Sequence, residues 1–343
     1  MKFKIENSEI EIIFTNDLSP EFKKKVNQVY VIDAKVFELY KELFGHIKDQ
    51  SRIYLFTASE QTKNLDSLRE IYKFLKNKNV NRSSRIFGVG GGVTTDITGF
   101  AAATYKRGCR LALVPTTLLG MVDASIGGKT GINLENIKNG IGSFYPAEKV
   151  IINSDFLKTQ TEPDFKDGFV EIVKMSFLEN SKLLEMLQKK ANIEEIIKEA
   201  IRTKMELCQD DLQDKNSRRL LNLGHTFGHV LESVSNYRIS HGTAVSIGIR
   251  AAAKFSLKKD FITAELYDQI AEKLDEFEFL VSFSEKYLPV LLEKGEAILK
   301  QDKKADDKIN LILFKGLQEL FVYKTENSSE VLNVLREFAD AEA

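Results

Sequence analysis

Cysteine is almost missing from this chain of 343 residues: Cys109 and Cys208 stand far apart, which excludes a disulfide framework and any Cys-x-x-Cys spacing and suits a reducing compartment. An excess of one charge is missing as well. With a net charge of −1 and 29% charged residues, no general basic field draws nucleic acid or an anionic membrane, so a phosphate-bearing partner has to be held by a local cluster. No stretch approaches the roughly 18 apolar residues of a membrane span, and the opening Met1-Lys-Phe-Lys-Ile-Glu-Asn7 breaks up with charges too early for a signal peptide. Internal repeats and low-complexity tracts are absent too. The expectation is a soluble cytoplasmic protein without nucleic-acid or membrane partners, long enough for two domains.

Histidine is also scarce, yet three of the four, His225, His229 and His241, fall within residues 218–241. If residues 218–232 form one helix, Arg218, Asn222, His225 and His229 fall at i, i+4, i+7 and i+11, a polar stripe flanked by Leu220, Leu221, Leu223, Phe227 and Val230. Gly224 and Gly228 inside such a helix cost roughly 1 kcal/mol each relative to Ala, usually accepted where a backbone or ligand comes close. A stripe facing only water has no need of that. His225 and His241 can bind a first-row metal through neutral imidazole, and clustering beside Arg and Asn favours a site over core histidines. A third ligand has to come from elsewhere.

Residues 1–110 alternate β-rich runs with helical patterns. Val29–Asp33 reads as a buried strand ending in a carboxylate, Arg52–Phe56 as another, and Leu65–Asn77 as an amphipathic helix. Arg85–Val89 then runs into Gly90-Gly-Gly-Val-Thr-Thr-Asp96 and a small-residue helix, Ile97–Tyr105. Strand, glycine turn, helix is the βαβ signature of a doubly wound sheet, which binds ligands at the carboxyl ends of its strands. The glycines either let main-chain N–H groups approach a pyrophosphate or make a tight turn. Asp33 either bonds ribose hydroxyls or caps a helix.

Beyond the strand Arg110–Pro115, Gly128-Lys129-Thr130 is not a P-loop, because G-x-x-x-x-G-K-[ST] needs Gly where Asp123 stands. Lys129, Lys138, Asn139 and upstream Arg107 still supply donors amid glycine-rich backbone, forming a phosphate cradle or a solvated basic loop. Val150–Ser154 reads as the last strand of the first domain, and Glu162-Pro163 marks the change to helix. Phe165–Leu178 carries Glu171 and Lys174 side by side in an apolar surround, a surface ion pair or, for Glu171, the third metal ligand. Leu183–Leu212 reads as helical and carries Lys204 and Asp211 toward the stripe. Later come a small-residue helix, Ala244–Leu257, a strand, Ile309–Phe314, and a final helix from Ser329.

The chain resembles one family, the 3-dehydroquinate synthases within the sugar-phosphate cyclases. The markers stand in order over most of its length: Glu60-Gln61 with Lys63; Gly90-Gly-Gly-Val-Thr-Thr-Asp96 leading to Gly99–Gly108; and Val114-Pro-Thr-Thr-Leu-Leu119. They continue through Val122-Asp-Ala-Ser-Ile-Gly-Gly-Lys-Thr-Gly-Ile-Asn133, Lys138-Asn139, Glu171-Ile-Val-Lys174, Leu221-Asn-Leu-Gly-His-Thr-Phe-Gly-His229, His241-Gly242 and Asp302-Lys-Lys304.

The resemblance implies a Rossmann-like NAD-binding domain over residues 1–161, an all-α metal- and substrate-binding domain over 162–343, and an active site in the interdomain cleft of a homodimer. It implies a carbon–oxygen lyase acting on a small sugar phosphate, converting 3-deoxy-D-arabino-heptulosonate 7-phosphate to 3-dehydroquinate and phosphate in the shikimate pathway. Transient oxidation by NAD+ is followed by phosphate elimination, reduction and aldol closure, with a divalent metal, commonly zinc, cobalt being an alternative. The implied metal ligands are Glu171, His225 and His241. NAD would meet Asp33, Glu60, Lys63, Gly92, Val93, Thr94, Thr95, Asp96, Thr116, Thr117, Lys129, Lys138, Phe156, Leu157, Lys158 and Thr159.

Substrate and chemistry would fall to Asp123, Lys129, Asn139, Lys174, Lys204, Arg218, Asn222 and His229, with Lys303 or Lys304 on the carboxylate, Asp214 in support and Arg107 reaching phosphate across the dimer. Two departures stand out: the family usually has Glu where Asp214 stands, and Glu or similar where Thr243 stands. Alternatives are another cyclase, of the 2-deoxy-scyllo-inosose synthase type, and a metal-dependent polyol dehydrogenase. The dehydrogenase leaves Arg107, Lys129, Lys138 and Asn139 with no phosphate to hold.

Overall fold

The computed structural model describes every residue except 7, 24–26, 136, 180, 278, 280, 302–307, 342 and 343. The chain divides into two compact units, one made of Met1–Gly168 with Lys204–Asp214, the other of Phe169–Thr203 with Lys215–Ala343. Glu6 N–H donates to the Gln209 carbonyl at 3.1 Å, tying the returning segment to the N-terminal strands of the first unit.

The first unit runs through β1 (Lys2–Ile5), β2 (Ser8–Phe14), α1 (Ser19–Phe22), β3 (Gln28–Asp33), α2 (Ala34–Leu39), α3 (Lys41–Phe44) and β4 (Ile53–Phe56). It continues with α4 (Leu65–Asn77), β5 (Arg85–Gly90), α5 (Gly92–Thr104), β6 (Arg110–Pro115), β7 (Lys129–Leu134), β8 (Ile137–Phe144) and β9 (Lys149–Ile152). Seven strands form one sheet in the order β1-β2-β9-β6-β5-β3-β4. β1 and β2 are antiparallel, and the other pairings are parallel. Every residue of β5 is buried, as a strand covered on both faces requires.

From β3 the chain steps to β4 on one side, then returns to β5 on the other and builds outward through β6 to β9. The order therefore reverses between β3 and β5, the crevice where doubly wound sheets take ligands. Asp33 and Gly90 end those two strands.

β7 and β8 form an antiparallel hairpin in the region read from the sequence as glycine-rich loop. Gly131 and Gly142 let the strands close, since a Cβ on Gly142 would lie 2.5 Å from the Thr130 carbonyl oxygen. Weak β formers hid these strands from a propensity argument.

Boundaries between the units fall within α6 (Glu162–Ser176) and α8 (Ile193–Cys208), with α7 (Leu183–Gln188) between those helices. The second unit continues through α9 (His225–Val234), α10 (His241–Lys258), α11 (Ala264–Asp275), β10 (Phe283–Ser284), α12 (Leu288–Gln301), β11 (Ile309–Gly316), β12 (Glu319–Thr325), α13 (Ser328–Arg336) and β13 (Ala339–Asp340). It is helical as expected, but "all-α" leaves out a hairpin, β11 with β12, and the short parallel pair of β10 and β13. The hairpin extends the expected strand at 309–314, and Phe314 N–H donates to Ser256 Oγ on α10 at 3.0 Å. Among the described residues, no helix is long and apolar enough to cross a membrane.

Candidate active site

One helix across residues 218–232 is not what forms. Ser217–Asn222 is a 3-10 helix, and Gly224, with φ 77° and ψ −18°, breaks the chain before α9 begins at His225. The cause lies outside the segment. A Cβ on Gly248 of α10 would sit 2.1 Å from the Gly224 carbonyl oxygen, and one on Gly224 would sit 2.8 Å from Ile249 N. Two backbones touch there, and the left-handed turn that achieves it suits glycine. Gly228, one helical turn on, would bring a Cβ to 3.1 Å from the Ala244 carbonyl oxygen, so both glycines serve the packing of α9 on α10. Arg218 and Asn222 therefore do not share a helix with His225 and His229; Arg218 is 1% exposed, whereas His229 is exposed.

What this packing brings together is the predicted metal trio. Glu171, His225 and His241 each offer a ligand atom, and these atoms all lie within 4.8 Å of one another. Glu171 Oε1 is 3.3 Å from His241 Nε2 and 3.6 Å from His225 Nε2. Its Oε2 meets the Lys174 ammonium. Both α6 side chains are buried, so this is no solvated surface pair.

Burial opposes charge on Glu171, but Lys174 and the two imidazoles outweigh it and hold the carboxyl well below its ordinary range. Burial, reinforced by Lys174, pushes His225 down, so it stands as neutral imidazole. Burial acts the same way on His241, yet Glu171 and Glu232 overcome it and push His241 up to about 10. A carboxylate that outweighs burial in this way, beside a second one and two imidazoles, is a donor set that fits a divalent cation.

Glu232 is the functional candidate that sequence reasoning missed. Its Oε1 lies 3.4 Å from His241 Nδ1. The signal was a lone carboxylate in the run Val230-Leu-Glu-Ser-Val234, whose neighbours Val230, Leu231 and Val234 are all buried.

A second cluster stands in the first unit at the carboxyl ends of its strands. The β5–α5 turn is tight: a Cβ on Gly90 would lie 2.7 Å from the Thr94 side chain and 3.0 Å from Asp33 Cβ, and one on Gly91 would lie 3.2 Å from Thr117 Cγ2. The missing Cβ atoms thus first make room for protein neighbours. They also leave the N-terminal amides of α5, residues 92–94, at the mouth of the crevice, where a helix end favours an anion. Asp33 takes the capping role, accepting from Lys35 N at 2.9 Å.

Lys63, 3% exposed, donates to Asp96 Oδ2 at 2.5 Å and to Asn139 Oδ1 at 2.6 Å. Burial raises Asp96 to about 6 despite that lysine. Asn133 joins Glu60 to the group, donating to Oε2 at 2.9 Å. Lys204 is held on Asp123 at 2.6 Å, and Lys129 on Asp214 at 2.7 Å. In the 3-10 helix Ser154–Thr159, Phe156 packs edge-on to Tyr40 at 4.8 Å, and the Tyr40 hydroxyl meets Thr159 Oγ1 at 2.8 Å.

Lys138 is exposed on β8, and Arg107 is exposed with φ 63° beside Lys106 at φ 54°. Thr116 follows β6, its amide donating to the Gly90 carbonyl at 3.0 Å. Lys303 and Lys304 lie outside the described residues.

Comparison with known proteins agrees with this layout. Residues 53–167 match the family model "3-dehydroquinate synthase N-terminal" and residues 168–305 match "3-dehydroquinate synthase C-terminal". The chain belongs to the 3-dehydroquinate synthase family. The enzyme of that name from Clostridium tetani is 34% identical over 92% of this chain and 87% of its own length. The one from Helicobacter pylori strain P12 is 35% identical over 95% and 96%. A solved 2-deoxy-scyllo-inosose synthase, described as complexed with carbaglucose-6-phosphate, NAD+ and Co2+, shares the fold with a TM-score of 0.82 at 22% identity, covering 98% of this chain and 99% of its own. Asp214, left-handed at φ 58°, accepts from Lys129 Nζ at 2.7 Å.

Proposed function

We propose that this protein converts 3-deoxy-D-arabino-heptulosonate 7-phosphate to 3-dehydroquinate and phosphate, using NAD+ and a divalent metal, zinc before cobalt. The observation that carries the reading is the convergence of Glu171, His225 and His241 within 4.8 Å in a chain of this family. When bound, NAD+ at the β3/β5 crevice would supply reversible hydride transfer for the substrate's C5, and a metal held by Glu171, His225 and His241 would supply Lewis acidity toward its hydroxyl.

The chain's own side chains do the rest. Asp33, the turn 92–96, Thr116, Thr117 and the segment 156–159 seat the nucleotide at the β3/β5 crevice, with Glu60, Lys63 and Lys138 beside it. Lys174 neutralises the inner oxygen of Glu171, which leaves the outer one as ligand. His229, exposed and with its ring 5.6 Å from that of His225, is suited to pass protons. Lys129, Asn139, Lys204, Arg218, Asn222, Asp123 and Asp214 hold and orient the sugar phosphate, with Lys303 or Lys304 on its carboxylate. Oxidation at C5 acidifies the neighbouring C–H, so its proton can leave together with phosphate. The working form is a cytoplasmic homodimer, in which Arg107 of one copy serves the phosphate held by the other.

Support for phosphate chemistry over simple dehydrogenation comes from the cationic and amide donors gathered in the first unit, which a polyol substrate would leave unused. The deciding assay incubates protein, NAD+ and zinc with the heptulosonate phosphate. Stoichiometric phosphate release with no net NADH is expected; accumulating NADH, or release only from glucose 6-phosphate, defeats the assignment. Sedimentation tests the dimer.

A further inference from the structure

We propose that Glu232 is a positioning residue for His241, fixing the imidazole so that Nε2 is the nitrogen presented to a metal. This inference rests on the metal-site reading above. His241 is the first residue of α10, directly after the cap residue Ser240, so little of its own helix packs around the ring, whose side chain is 24% exposed. Something must hold it. Nε2 faces Glu171 Oε1 at 3.3 Å, and Nδ1 faces Glu232 Oε1 at 3.4 Å.

The other imidazole shows the same division of labour. His225 Nδ1 lies 3.1 Å from the Leu223 carbonyl oxygen, which can only accept, so Nδ1 carries the hydrogen and Nε2 is left as the ligand nitrogen. His225 is thus aimed by backbone and His241 by a side chain. Glu232 is 4% exposed, so its carboxylate is held by the surrounding packing in a fixed place beside the ring. It sits seven residues after His225 on α9, so one helix supplies a ligand and the support for the other ligand. Partners of this kind set ligand orientation and metal affinity.

The test compares the purified full-length protein with Glu232→Ala and Glu232→Gln, measuring zinc affinity by chelator competition, the visible spectrum of the Co2+ form, and urea unfolding of the metal-free protein. Glu232→Ala should bind zinc about 10- to 100-fold more weakly and show an altered Co2+ spectrum. Glu232→Gln, whose amide oxygen can accept from Nδ1–H, should recover most of that loss. Unchanged zinc affinity in Glu232→Ala overturns the proposal even if unfolding shifts, because that pattern belongs to a purely structural residue. A Glu232→Gln variant no better than the alanine variant overturns it too. Failure of the unaltered protein to bind zinc defeats the metal-site reading itself and takes this inference with it.

Discussion

Lys174 and Glu171 stand one turn apart on α6 with the ammonium against Oε2, while Oε1 is turned toward the imidazoles of His241 and His225, at 3.3 and 3.6 Å. One carboxylate is thereby split into an internal counter-ion and an outward ligand. Glu171→Gln keeps the shape and removes the charge. We expect zinc affinity to fall by at least about 100-fold, the upper end of what losing a mere supporting group costs, and turnover to vanish, with cooperative unfolding retained. Zinc content after dialysis checks this; an unchanged value counts against the ligand assignment.

Gly248→Ala tests whether backbone contact shapes the site. Its Cβ would stand 2.1 Å from the Gly224 carbonyl oxygen, so α9 and α10 have to separate. Overpacking of this sort costs about 1–3 kcal/mol, and the displaced turn directly precedes His225. Urea unfolding and zinc affinity should both deteriorate. Retention of both would mean that the close approach is not needed.

Asp96 provides a pH signature in the first unit. Its carboxyl is raised from 3.8 to about 6 by burial, against the pull of Lys63. The folded state therefore holds this proton more tightly than the unfolded chain, and the resulting contribution to stability is lost as pH rises from about 4 to 6. Asp96→Asn has no such proton. The difference in unfolding free energy between variant and parent should shift in the variant's favour across that window and level off above it; a flat difference from pH 4 to 7 contradicts the picture.

Lys129 and Asp214 are 2.7 Å apart, with the lysine half exposed. Asp214 is buried at its end of the pair, so Lys129→Met, which takes one partner from a buried carboxylate, should also lower the unfolding free energy. Loss of one charge-assisted contact, roughly 1.5–3 kcal/mol, should raise the KM for the sugar phosphate at least about tenfold. Steady-state kinetics decide; an unaltered KM removes Lys129 from the substrate's reach.

The candidate trio could be named before any coordinates because clustered imidazoles pointed to a metal and the family resemblance supplied Glu171, which residue type alone left as either a surface ion pair or a ligand. The doubly wound sheet was legible too, since strand, glycine turn and helix follow one another without a gap, whereas the reversal between β3 and β5 needed the strand order. The break at Gly224 was not. Its cause is Gly248, which lies next to it only after α9 and α10 pack, and a helical spacing argument sees nothing beyond its own segment. Glu232 escaped for a related reason: whether a carboxylate in an apolar run is a helix surface or a buried partner depends on what faces it. The β7–β8 hairpin was hidden by its composition, because glycine and asparagine write loops more often than strands.

The segment Lys204–Asp214 belongs with the first unit although the second has already begun at Phe169. During synthesis, the first unit thus waits for a piece made only after Phe169–Thr203 of the second has emerged. Cutting the gene at the junction between the two family matches, near residue 168, would give a fragment lacking Lys204, the partner of Asp123, and Asp214, the partner of Lys129. The junction of the two family matches is therefore not where the first unit ends in sequence.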